Sequence, residues 1–243
     1  MSIDSSKSRS SNIGQLLQAE LDQLVAEIQA TEFFRTLTAP NADPQVIAST
    51  LKYVYLSIHH YQPHVTEATF TAVGRMPKHS ERQIKNMIRQ QVEEVEHADM
   101  ALRDYTRLGG DPAFAAGPMP PECAAVAAMC HFLGEHCPAA CYLGFMYIFE
   151  ALTPIMARQA QQVMQASNYK PEAREFVDLH ATEDIRHTDM ILAVIQQLLR
   201  IQPEAFEQII FGFRAFKAVY PIPVWTRAYE HALNETRESL QPT

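Results

Sequence analysis

Apolar residues recur at helical spacing along almost the whole of this chain, while the period-two alternation of β-strands is nearly absent. Leu16, Leu17, Leu21, Leu24, Val25 and Ile28, for example, fall on one face of a helix. Glycine is scarce, 8 of 243 residues, and gathers where such segments stop. The chain is therefore expected to be all-α, a single bundle of about seven helices.

The expected helices follow from their start and stop signals. The first runs from near Asn12 to Leu37. The second starts at Pro44, after Asp43, and continues to about Arg75, interrupted at Pro63. The third has Ser80 as its N-cap and stops at Gly109-Gly110. A Pro-rich loop from Asp111 to Pro121 leads to the fourth, about Pro121 to Glu135. The fifth covers Pro138 to about Ala166, kinked at Pro154. The sixth spans Pro171 to about Arg200, and the seventh starts near Pro203 and breaks around Pro221 and Pro223. Residues 1–12 are polar and Ser-rich and read as a disordered tail, leaving 13–240 as one domain.

A net charge of −8 without basic clusters argues against nucleic acid as a partner. No uninterrupted apolar run reaches the roughly 20 residues of a membrane span, and the N-terminus lacks the apolar core of a secretory signal. Cys123, Cys130, Cys137 and Cys141 form no CxxC pattern and read as small buried residues, so the expected location is the reducing cytoplasm. A small-molecule substrate is the expected partner, and a homodimer through apolar helix faces is compatible with a bundle of this size. No motif identifies an electron donor.

Three segments carry the chemistry. His180, Asp184 and His187 form HxxxDxxH, and offsets of 4 and 7 bring all three to one helix face. Two imidazoles and a carboxylate on one face are a first-row transition-metal donor set, and stacking them without a metal would be costly. Glu94 and His97 form ExxH, a recurring element of carboxylate-bridged diiron sites. Glu93 also fits geometrically, four residues before His97, but Glu94 is the preferred reading, and Glu96 is read as solvated. Glu150 is the only charge in the apolar stretch from Pro138 to Ala157, and bridging two metals would give it a partner. Six donors exceed the needs of one ion with open positions but suit two, each with a site left for oxygen and substrate. Three anionic ligands leave two Fe(II) with one net positive charge.

With these residues, in this order, the chain resembles the haem-oxygenase-like diiron oxidases and oxygenases, whose ligands run Glu, His, Glu, His, Asp, His on a seven-helix fold. The resemblance extends from the first helix to the seventh, though only HxxxDxxH is specific. It implies two ferrous ions held by Glu94, His97, Glu150, His180, Asp184 and His187. It also implies O2 as co-substrate for C–H abstraction, oxidative C–C cleavage or N-oxygenation of an amino acid, amine or fatty acid. Related proteins of the same fold include p-aminobenzoate synthases that consume their own tyrosine. Tyr55, His59, Tyr61 and Tyr147 are the residues expected at a substrate. Two rivals remain: a ferritin-like iron-binding protein, against which stands the single ExxH, and a metal-free thiaminase-like hydrolase using a cysteine, which would leave the His-Asp-His face without a role.

Overall fold

The computed structural model describes residues 3–77, 81–166 and 171–239, and Ser80 lies outside them. The fold is all-α, but the chain divides into more helical segments than seven. They are α1 (Ile3–Gln29), α2 (Glu32–Leu37), α3 (Pro44–Gly74), α4 (Glu81–Glu94), α5 (His97–Arg107), α6 (Pro112–Ala115), α7 (Pro121–His131), α8 (Ala139–Ala166), α9 (Glu175–His180), α10 (Glu183–Ile201), α11 (Ala205–Lys217) and α12 (Ile222–Ser239). A π-helical turn, Phe132–His136, follows α7, and a 3-10 turn, Pro171–Ala173, precedes α9.

Several boundaries follow local chemistry. Asp43 caps α3, its side chain accepting from Gln45 N, with Pro44 in the first turn. After α5, Gly109 takes φ 83°, a conformation glycine adopts at no steric cost, and Gly110 N donates back to Tyr105 O. The backbone of α1 is helical from Ile3, inside the segment read as a tail, and Ile13 is fully buried.

Two expectations about breaks fail in opposite directions. Pro63, expected to interrupt α3, lies inside a continuous helix. The expected third and sixth helices, by contrast, are each broken where no proline or glycine stands, at Val95-Glu96 and Ala181-Thr182. At the second break Thr182 Oγ1 donates to Leu179 O, a side-chain bond that competes with the helical ladder. Both breaks sit among the chemically important residues. Glu94 ends α4 and His97 opens α5; His180 ends α9 and Asp184 lies in the first turn of α10.

The core is organised by two long helices. α8 packs along α10 and α11, and α3 packs along α5, α7 and α12. Among the described residues α8 is the one helix long and apolar enough to cross a membrane, and it is mostly buried in the bundle. It crosses α11 with backbone on backbone. A Cβ on Gly144 would fall on the carbonyl oxygen of Ile209, and one on Gly212 would fall on that of Cys141. Phe145 and Phe216 pack edge to face beside this crossing, ring centroids 4.3 Å apart.

Candidate metal centre

The six expected donors converge. Glu94, His97, Glu150, His180, Asp184 and His187 are all buried. They form two groups in which the donor atoms lie within 4.8 Å of one another: Glu94, His97 and His180, and Glu94, Glu150, Asp184 and His187. Glu94 belongs to both. Glu150, the residue expected to bridge, belongs to one group only.

In the first group His97 Nδ1 lies 2.6 Å from Glu94 Oε2 and 3.1 Å from His180 Nε2. His180 Nδ1–H donates to Phe176 O at 2.7 Å, which leaves the Nε2 lone pair facing His97. The Phe176 ring stacks on His180 with centroids 3.8 Å apart. In the second group His187 Nδ1 lies 3.2 Å from Glu150 Oε2, 3.6 Å from Glu94 Oε1 and 3.7 Å from Asp184 Oδ1.

Outer partners orient the carboxylates. Gln90 Nε2 donates to Glu150 Oε1 at 2.5 Å, and Gln62 Nε2 donates to Glu94 Oε2 at 3.3 Å. Glu93 takes a different place from Glu94. It is half exposed, ion-paired to Arg186, and reaches the far nitrogen of His187 at 3.1 Å. Glu96 is exposed.

Electrostatics test whether a cation fits. Burial, then the charges of Glu150 and Glu94, pushes Asp184 up to about 10. Burial pushes Glu150 up to about 7, against the His187 hydrogen bond. Burial and neighbouring His97 push His180 down to about 4. Glu94 Oε1 and Asp184 Oδ1 are buried without a hydrogen-bond partner. Three carboxylates share this space, and among the described residues no lysine or arginine lines the adjoining cavity. Orphaned carboxylate oxygens facing imidazole nitrogens are what one or two divalent cations would satisfy.

The cavity, about 150 Å³, ends on Glu94, Glu150, His180 and Asp184. Its walls are apolar and aromatic, including Phe33, Val54, Phe149, Val177, Tyr220 and Trp225. A second cavity of about 440 Å³ shares Phe34, Leu37, Thr38, Ile47, Gln159 and Val163 with it and reaches Pro40 and Ala166. Of the residues expected at a substrate, Tyr55 and Tyr61 line the inner cavity. His59 does not; its Nδ1 lies 3.2 Å from Ala98 O on α5. Tyr147 is buried but does not line it either; it lies near the charge of Asp22 on α1. Tyr220 and Phe176 were not singled out by sequence; Tyr220 meets Tyr61 far along the chain, while Phe176 stands one turn before His180 and also meets His97.

All four cysteines are free and buried. Burial pushes the Cys123 thiol up to about 12 and Cys141 to about 11, which suppresses the thiolate a cysteine nucleophile needs.

Residues 54–220 match the model of a family described as iron-containing redox enzymes. No curated protein matches the chain. A solved structure from Shewanella denitrificans, a domain of unknown function with a haem oxygenase-like fold, is similar at a TM-score of 0.70 and 15% identity, covering 93% of each chain. The match spans more than half of the chain and every one of the six buried donors, and the chain belongs to the iron-containing redox enzyme family, with a haem-oxygenase-like fold.

Proposed function

We propose that this protein is an O2-dependent non-haem diiron oxidase or oxygenase acting on a small, largely apolar organic substrate. The observation that carries the reading is Glu94, a single buried carboxylate common to two donor groups. Glu94, His97 and His180 would hold one iron, and Glu94, Glu150, Asp184 and His187 the other. Bound as Fe(II), the pair supplies the electrons that reduce O2 and so oxidise the substrate.

The chain's own residues prepare for that chemistry. Gln90 and Gln62 fix the orientation of Glu150 and Glu94, as outer partners of metal ligands do. The Phe176 carbonyl holds His180 in the tautomer that points Nε2 inward. Phe149, Tyr220 and Trp225 wall the site against water. Among the described residues the cavity offers no fixed cation or anion outside the donor groups, so an amino acid's ammonium would find no partner there other than the site itself. An aliphatic chain of the fatty-acid type, carboxylate toward the donors, suits it better.

Anaerobic titration with Fe(II), read as iron retained after desalting, tests the reading. The expected result is two irons per chain, O2 consumption on mixing with aerated buffer, and loss of both in Asp184→Ala. One iron or none, unchanged by that substitution, would overturn it.

A further inference from the structure

A second set of donors lies outside the buried centre and shares no residue with it. His64 and Glu67 stand at i and i+3 on α3, on one face of the helix. His131 ends α7, where the chain enters the π-helical turn. That turn is clamped onto α3. Gly134 lies so close to Ala68 that a Cβ there would meet Ala68 O at 2.9 Å, and Arg75 Nη1 donates to Gly134 O at 2.5 Å. The clamp sets His131 opposite His64. The two rings cross at 75°, with His64 Nδ1 3.3 Å from His131 Nε2.

We propose that His64, Glu67 and His131 form a second metal site, for one divalent ion of the zinc type, on the outside of the bundle. Two nitrogens, each about 2.0–2.1 Å from a tetrahedral zinc, stand about 3.3 Å apart. That is the separation found, and it is at the long end for a hydrogen bond between the rings. Glu67 Oε2 is 4.0 Å from His131 Nε2 on a side chain that is 71% exposed and free to close in. The fourth position faces solvent.

The outer contact supports a ligand role. His131 Nδ1 lies 2.7 Å from Glu135 Oε1, so the proton sits on Nδ1 and the Nε2 lone pair points at His64. A carboxylate behind a histidine in this way orients the ring and raises its basicity as a ligand. Glu67 and Glu135 together bring two negative charges, which a divalent ion balances. Two imidazoles and one carboxylate favour zinc, and copper or nickel, over magnesium or calcium. The half-buried histidines and exposed Glu67 make the site one that binds and releases its ion readily.

The test is a zinc titration of the full chain against a chromogenic chelator, with iron content measured in parallel. Wild type is expected to bind one more zinc per chain than either His64→Ala or His131→Ala, with iron content the same in all three. Glu135→Gln is expected to weaken that zinc about tenfold without removing it. With Co(II) in place of zinc, visible bands of tetrahedral intensity should appear in wild type and vanish in both histidine variants. Equal zinc binding by wild type and the two variants would overturn the proposal and leave a hydrogen-bonded histidine pair only. Unchanged Co(II) bands in the variants would do the same. Glu67→Gln, an exposed substitution that cannot disturb folding much, repeats the test if a histidine variant is poorly folded; zinc binding undiminished by it would also overturn the three-ligand site.

Discussion

Two pairs of imidazoles in this molecule have nearly the same geometry and very different surroundings. His97 and His180 approach to 3.1 Å, His64 and His131 to 3.3 Å. In each pair an outer nitrogen is fixed by an oxygen at 2.7 Å, the Phe176 carbonyl in one and Glu135 in the other. The first pair sits among three buried acidic side chains at the end of an apolar cavity, where desolvation raises the Asp184 and Glu150 carboxyls and lowers His180. The second pair borders water, which can solvate whatever charge the ion leaves behind. Donor geometry alone is thus easily made from two helices. What separates a site suited to redox chemistry from one suited to binding is the dry, walled space beside it.

The sharpest way to break this contrast is a pair of ligand substitutions. Asp184→Ala should lower O2 consumption at least a hundredfold, more than outer-partner changes usually do. His131→Ala should leave O2 consumption and iron content at wild-type levels. An equal fall in both variants, measured with an oxygen electrode, would erase the distinction. A smaller effect is expected when only the support is removed. Gln90→Leu keeps much of the side chain's volume but takes the donor from Glu150, and iron affinity should fall about 10- to 100-fold in a chelator competition.

The smallest expected effect lies where exposed charge supports the buried centre. Glu175, opening α9, pairs with Arg103 and Arg107 of α5, and these guanidiniums hold its carboxyl down at about 2. A lowered folded pKa means that the stabilisation is present above the unfolded value near 4.5 and is lost as pH falls from there toward 2. The pairs are exposed, so solvent screening keeps their contribution small. Glu175→Gln should lower the melting temperature by about 1–4 °C at pH 6 and by less at pH 3, and added salt should shrink the difference.

The residues of the buried centre were legible because metal donors advertise themselves by type and spacing. HxxxDxxH and ExxH need only one helix each, and Glu150 stands out as a charge among apolar residues. How they meet was less legible. Breaks at Val95-Glu96 and Ala181-Thr182 carry no proline or glycine, whereas Pro63, which does look like an interruption, lies inside a continuous helix. Packing against neighbours outweighs a single lost N–H in α3. The sharing of Glu94 rather than Glu150 depends on the angle between α4 and α5, which a sequence does not state. Tyr147 was misplaced because sharing a helix face with Glu150 does not by itself bring a ring into the cavity. His64 and His131 are 67 residues apart, so no local pattern links them.

The crossing of α8 and α11 at Gly144 and Gly212 has a consequence beyond packing. Glu150 lies six residues from Gly144, about 9 Å along the same helix axis. With no side chain at either glycine, the two backbones touch, and α8 has a fixed datum from which Glu150 is held in depth. A methyl group at Gly144 would act as a wedge, tilting a long rigid arm whose far part carries a donor. Damage to the metal centre can thus originate at a residue with no polar atom in its side chain and no contact with the centre. Sequence variants of this protein that tolerate alanine there should be those in which α11 has moved outward to make room.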